Sequence, residues 1–110
     1  MTMYAITFDF DTKKLEEHYH NASWRNAYFD IENFLADFGF TRQQGSVYFG
    51  DHTVDAVTCV TAVQDLSQEY EWVEKSLRDI RMLRIEELND LMPAIKKNLR
   101  RKRTNKLKVA

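Results

Sequence analysis

Tyr4-Ala5-Ile6-Thr7-Phe8-Asp9-Phe10-Asp11 is the stretch from which the fold is read. Its aromatic and β-branched residues favour a strand, and two carboxylates fall on alternate positions at its end. Successive strand side chains point to opposite faces, so Asp9 and Asp11 are expected to project from one face together. Phe8 and Phe10, flanking Asp9, predict a poorly solvated carboxylate. Such a group must pair with a cation, hold a metal or stay protonated, because burying a lone charge is costly. For an isolated Asp at a strand end the simpler role is that of a turn residue, so the rest of the chain has to decide.

Working outward, Lys13–Tyr19 is charged and reads as a turn of helix or a loop. Asn21 or Ser23 can cap the next helix. Trp24, Tyr28, Ile31, Leu35 and Phe38 then recur at steps of four, three, four and three, which is one helical face, and it serves core packing. Gly39 stands where a glycine ends a helix. Phe40–Gln44 and Ser46–Phe49 read as short strands joined through Gly45, and Gly50-Asp51-His52 as a turn with Thr53 as a cap. Val54–Leu66 has the composition of a strand, but Ala56, Cys59, Val60, Val63 and Leu66 follow a helical step, and the segment is long for a strand. Helix is the expectation. Trp72 and Val73 pack a short connection onto the core, Asp79–Glu87 is the last strand, and a terminal helix starts near Asn89 with Pro93 in its first turn.

The order β-α-β-β-α-β plus a C-terminal helix predicts an α+β fold of ferredoxin-like type, an antiparallel sheet with helices on one face. In that order the first and third strands are central neighbours, while the first and last come from different halves of the sheet. The other face is left bare, and a second copy of the chain or a nucleic acid is its expected partner.

At 110 residues the chain is one domain with a real core. Its single cysteine, Cys59, excludes an intrachain disulfide and a cysteine-based zinc site. No stretch is apolar enough for a signal peptide or membrane span, so a cytoplasmic setting is expected. The net charge of −1 conceals an asymmetry: all 17 acidic residues lie at or before Asp90, and eight of the 16 basic ones follow Pro93. Residues 1–95 carry 8 basic and 17 acidic groups, for −9, and 96–110 carry +8. The chain thus divides into a ferredoxin-like body, 1–95, and a basic extension, 96–110. Such an extension can reach for phosphates or lie back on the acidic body.

No glycine-rich phosphate loop is present, His18 and His20 read as a solvated pair, and Cys59 as a core residue. What remains is Asp9 and Asp11, the Gln44-Gly45-Ser46-Val47-Tyr48 hairpin, and Arg78-Asp79-Ile80-Arg81. Central pairing of the first and third strands brings Ser46 toward Asp9, and Arg78 and Arg81 supply bidentate donors suited to phosphate. A carboxylate, a hydroxyl and two guanidiniums without a covalent dyad suit acid–base or metal-assisted cleavage of a phosphodiester.

Tyr4-Ala5-Ile6-x-Phe8-Asp9, Gly39-Phe40, Gln44-Gly45-Ser46-x-Tyr48, Ser76-x-Arg78-Asp79-Ile80-Arg81 and Ile85-Glu86 resemble, in order and spacing, the virulence-associated protein D (VapD) family over residues 3–92. The resemblance implies a dimeric ferredoxin-like fold, related to the small CRISPR-associated endonuclease whose strand-end aspartates meet at the dimer interface. It further implies endoribonuclease activity and, for some members, the toxin role of a toxin–antitoxin pair with an antitoxin protein as partner. Asp9 is then the matching strand-end carboxylate, with Ser46 and Asp79 as catalytic candidates beside it and Tyr48, Arg78 and Arg81 as substrate-binding candidates. A divalent metal such as Mg on Asp9 is the expected cofactor if the reaction uses one. Asp11 and the long basic extension depart from the family pattern. The competing expectation is a non-catalytic RNA- or protein-binding module in which Asp9 and Asp79 only pair with Arg78 and Arg81.

Overall fold

The computed structural model describes residues 2–96. Its elements are β1 (Met3–Phe10), α1 (Thr12–His18), a single 3-10 turn (Trp24–Asn26), α2 (Ala27–Ala36), β2 (Phe40–Gln44), β3 (Val47–Gly50), α3 (Ala56–Glu69), α4 (Glu71–Ser76) and β4 (Leu77–Ile85). The four strands form one sheet in the order β2-β3-β1-β4, antiparallel throughout. This is the ferredoxin-like α+β arrangement, with two short helices, α1 and α4, added to the connections. β1 and β4 pair directly along their whole length, from Met3 opposite Ile85 to Phe10 opposite Leu77. The expectation that the first and last strands belong to different halves of the sheet is therefore corrected: β3 and β4 run parallel, and a right-handed crossover through α3 carries β4 past β1 to that strand's free edge.

Alternation along β1 decides the layers. Ile6, Phe8 and Phe10 point into the helix-covered side, where they join Leu15, Ile31, Leu35, Tyr48, Leu66 and Trp72 in one buried cluster. Phe8 meets Tyr48 edge-on at 5.6 Å, and Phe10 meets Tyr28 edge-on at 6.0 Å, arrangements that favour aromatic pairs. Ala5, Thr7 and Asp9 alternate to the opposite face, with Val47 and Phe49 of β3 and Asp79, Arg81 and Leu83 of β4 in register beside them.

Caps set the helix boundaries. Asp11 accepts hydrogen bonds from the Lys13 and Lys14 backbone amides, so it is the N-cap of α1 and does not share a strand face with Asp9. Those amide bonds, chiefly that of Lys14, hold its carboxyl below the usual range. Ser23 precedes the 3-10 turn without a side-chain cap, while Asn21 accepts from the Ser23 amide. α3 is capped by Asp55 and not Thr53, through a reciprocal pairing with Thr58. Gly39 ends the α2 segment at a φ of +95°, a conformation that disfavours any side chain. β4 begins two residues before the expected Asp79, and residues 92–96 are helical with Pro93 in the first turn. Most of the expected basic extension, residues 97–110, lies outside the described residues. No helix among the described residues is long and apolar enough to cross a membrane.

Candidate active site

At the Phe10 end of the sheet, β1 and β4 lose register between Asp9 and Phe10. Asp9 faces Asp79, whereas Phe10 faces Leu77, so Arg78 is the unmatched residue of a β-bulge. A bulge re-aims the side chain it carries. Here the Arg78 guanidinium turns across the ladder to β1: Nη2 lies 3.6 Å from Asp9 Oδ1 and donates to the Phe10 carbonyl at 3.4 Å. Two residues further, Arg81 Nε donates to Asp79 Oδ2 at 2.9 Å, and that bond holds the guanidinium more firmly protonated than usual. Asp9, Asp79, Arg78 and Arg81 thus form two adjoining ion pairs. Like charges directly opposite in a ladder repel, and the two arginines offset that repulsion between Asp9 and Asp79.

The site is wet. The Asp9 and Arg78 side chains are 60% and 62% exposed, so the expectation of a poorly solvated Asp9 is corrected. Phe8 and Phe10 turn to the opposite side of the sheet and give Asp9 no cover. In a high-dielectric setting these ion pairs hold their partners only loosely, so an incoming phosphodiester can replace a carboxylate on either guanidinium.

The other candidates are placed differently. Ser46 does adjoin β1: its carbonyl accepts from the Phe8 amide at 2.9 Å. Continuing the register from Thr7 opposite Val47, however, sets Ser46 opposite Phe8, on the side of the sheet away from Asp9. Tyr48 is buried to 1% exposure on the same helix-covered side, and burial pushes its phenol up to about 12. It supports Phe8 from beneath and offers no surface to a substrate at Asp9. Thr7, partly buried opposite Arg81 and alongside Val47, shares the Asp9 face, although no pattern in the sequence marks it.

Among the described residues no group of three or more His, Cys, Asp or Glu side chains gathers where a metal could sit. Asp9 and Asp79 are two carboxylates, each already facing a guanidinium. They do not build a protein cage by themselves. Magnesium, which keeps most of its waters and takes one or two carboxylates together with substrate phosphates, fits this pair only in a substrate complex.

No family model matches the chain. Individual relatives do. It is 52% identical over 93 residues to Endoribonuclease VapD 2 of Riemerella anatipestifer, spanning 84% of this chain and 99% of the relative. It is 54% identical over 94 residues to an Endoribonuclease VapD homolog of Helicobacter pylori, 86% of this chain and 97% of the relative. Endoribonuclease VapD of Haemophilus influenzae is 39% identical over 94 residues, 86% and 99% of the two chains. With identity of this extent over nearly the whole length of the relatives, the chain belongs to the VapD endoribonuclease family.

Proposed function

We propose that this chain cleaves RNA phosphodiesters at the exposed Asp9–Asp79 end of the sheet, working as a homodimer whose two bare sheet faces bring the two sites together. The observation that carries the reading is the bulge at Arg78, which sets one guanidinium beside Asp9 while Arg81 stands beside Asp79. The register shift sets Leu77 instead of Arg78 opposite Phe10 on the core side, and so leaves the Arg78 guanidinium exposed beside Asp9.

The scissile phosphate enters between Arg78 and Arg81, whose planar forks match its oxygens. Asp9, released from Arg78 by that exchange, accepts the proton of the attacking 2′-hydroxyl as the oxygen–phosphorus bond forms. Charge growing on the phosphoryl oxygens is met by the two guanidiniums, and the departing 5′-oxygen takes its proton from solvent. Asp79 holds Arg81 in place. A divalent ion such as magnesium, when bound by Asp9 and Asp79 with the phosphate, would act as a Lewis acid on the same oxygens. Ser46, on the far side of the ladder, is assigned no contact with the phosphate.

Cleavage of an end-labelled structured RNA by wild type and by Asp9→Asn, with and without EDTA, tests the reading. Cleavage by wild type alone supports it. Survival in EDTA together with resistance of the matching DNA supports attack by the 2′-hydroxyl, whereas loss in EDTA supports the metal-assisted form. Equal cleavage by the variant overturns the assignment of Asp9, and RNA binding without cleavage in any lane favours a non-catalytic binding module.

A further inference from the structure

Arg42 of β2 is held in a fixed pose without a counter-charge. Its side chain is half-buried, its Nε donates to the Gly45 carbonyl at 2.7 Å, and its guanidinium lies over the Tyr28 ring with Cζ 5.8 Å from the centroid. Among the described residues Arg42 forms no ion pair, and its two Nη groups donate no hydrogen bond. Glu32, whose charge acts with that of Arg42 on the Tyr48 phenol, is not within ion-pair reach of it. With Nε bonded and the plane set by the ring, the Nη donors are preorganised for a flat, doubly bonded anion such as a phosphate.

This guanidinium sits at the Asp9 end of the sheet. In register Arg42 lies level with Tyr48 and Ile6, but its side chain reaches along the hairpin to Gly45. The next residue, Ser46, accepts the Phe8 amide, and the Tyr28 ring meets Phe10 edge-on at 6.0 Å. Both chain neighbours of Asp9 are thus tied to the groups that hold Arg42, while Arg78 hangs on the Phe10 carbonyl from the far side. β2 and β4 are opposite edges of the sheet, so Arg42 and Arg78 stand on strands three spacings, or roughly 14 Å, apart. An RNA strand passing over the sheet end covers that span in a few nucleotides. The body of the chain carries −9 over residues 1–95, and an unpaired cation on such a body marks where a polyanion is accepted.

We propose that Arg42 is a positioning residue for the RNA strand, gripping a backbone phosphate a few nucleotides from the one cleaved between Arg78 and Arg81. The inference rests on the reading of the Asp9–Asp79 end as the cleavage site and extends its substrate path across the Gly45 turn to the opposite edge of the sheet. Tyr28 and the Gly45 carbonyl supply the rigid seat, so little side-chain freedom is lost when the phosphate binds. A contact of this kind fixes the strand's place without reading bases, and it is made equally in the ground and transition states. Its loss therefore weakens binding and raises KM while the chemical step proceeds as before.

The test follows the anisotropy of a fluorescein-labelled single-stranded RNA on full-length chains in an Asp9→Asn background, across a range of salt. Arg42→Gln should weaken binding about fivefold at low salt and reduce the slope of log K against log [salt] by about 0.7, one phosphate contact on a single strand. Arg42→Lys keeps the charge and should keep the slope. Arg84→Gln removes an equal charge from the other end of β4, where Arg84 is paired with Glu86, and should leave the slope unchanged. With Asp9 intact, Arg42→Gln should raise KM about fivefold with kcat within about twofold. The proposal is overturned by an unchanged slope in a folded Arg42→Gln chain, by a slope lost equally in Arg42→Lys or Arg84→Gln, or by a fall in kcat at constant KM. Absence of RNA binding by every chain overturns it as well. RNA bound by all chains but not cleaved with Asp9 intact removes the cleavage reading instead, and the salt slope then still decides the Arg42 contact.

Discussion

Replacing Asp9 by Asn separates chemistry from structure at this site, and both magnitudes follow from its geometry. The Asp9–Arg78 pair is 3.6 Å apart, with both side chains about three-fifths exposed, so breaking it costs at most about 1 kcal/mol. Removing the charge also relieves repulsion with Asp79 directly opposite, an offset of roughly 0.2–1 kcal/mol. The net change is within about 1 kcal/mol of zero, and at about 4–8 °C per kcal/mol for a small domain Tm moves by only a few degrees. Activity behaves otherwise. An amide cannot accept the proton of an attacking hydroxyl, and a positioned base contributes about 10²–10⁴-fold. Cleavage of an end-labelled RNA should therefore fall by at least about 100-fold while the thermal melt stays nearly unchanged. The reasoning is refuted if activity stays within threefold of wild type. A fall in Tm of roughly 10 °C or more would also refute it, since Asp9 would then be structural.

Four further outcomes are expected. The Tyr48 hydroxyl is buried without a hydrogen-bond partner, so Tyr48→Phe should leave stability unchanged or raise it by up to about 1–2 kcal/mol in a denaturant titration. The folded phenol titrates near 12, against an ordinary 10.0. The protonated form is thus favoured by folding: stability is whole below about 10 and declines as the pH rises toward 12, and Tyr48→Phe should flatten that decline in melts taken across this range. At Gly50 a methyl group would lie 2.7 Å from Val54 Cβ, an atom that alanine also carries, so Gly50→Ala should cost about 1–3 kcal/mol and adding Val54→Ala should not restore it, read from chemical unfolding. Burial raises the Cys59 thiol, so a thiol reagent should label it only after denaturation, at a rate that follows unfolding.

Elements with strong local signals could be read from residue order alone. The apolar run of β1, the stripe from Tyr28 to Leu35 in α2, the β2–β3 hairpin around Gly45 and the helical step of α3 each depend on neighbours within a turn or a pleat. Together they imply the ferredoxin-like order, and the Asp9 and Arg78-Asp79-Ile80-Arg81 motifs carry the family. Boundaries set by side-chain caps were harder to place. Asp11 and Asp55 compete for the backbone with their neighbours, and residue type alone does not say which of several Asp, Ser or Thr residues will win.

Tertiary structure alone decided the geometry around Asp9. A strand's two faces are distinguishable in sequence, but which face the helices cover is not, and so Asp9 between two phenylalanines looked buried while it faces water. The same ambiguity hid Tyr48 beneath the sheet and turned Ser46 away. The bulge depends on the length of β4 relative to β1, a property of two segments nearly seventy residues apart in sequence, and no local pattern encodes it. Residue order determined which charged groups this protein owns. Pairing across the sheet determined which of them meet, because register is a relation between strands and not a property of either one.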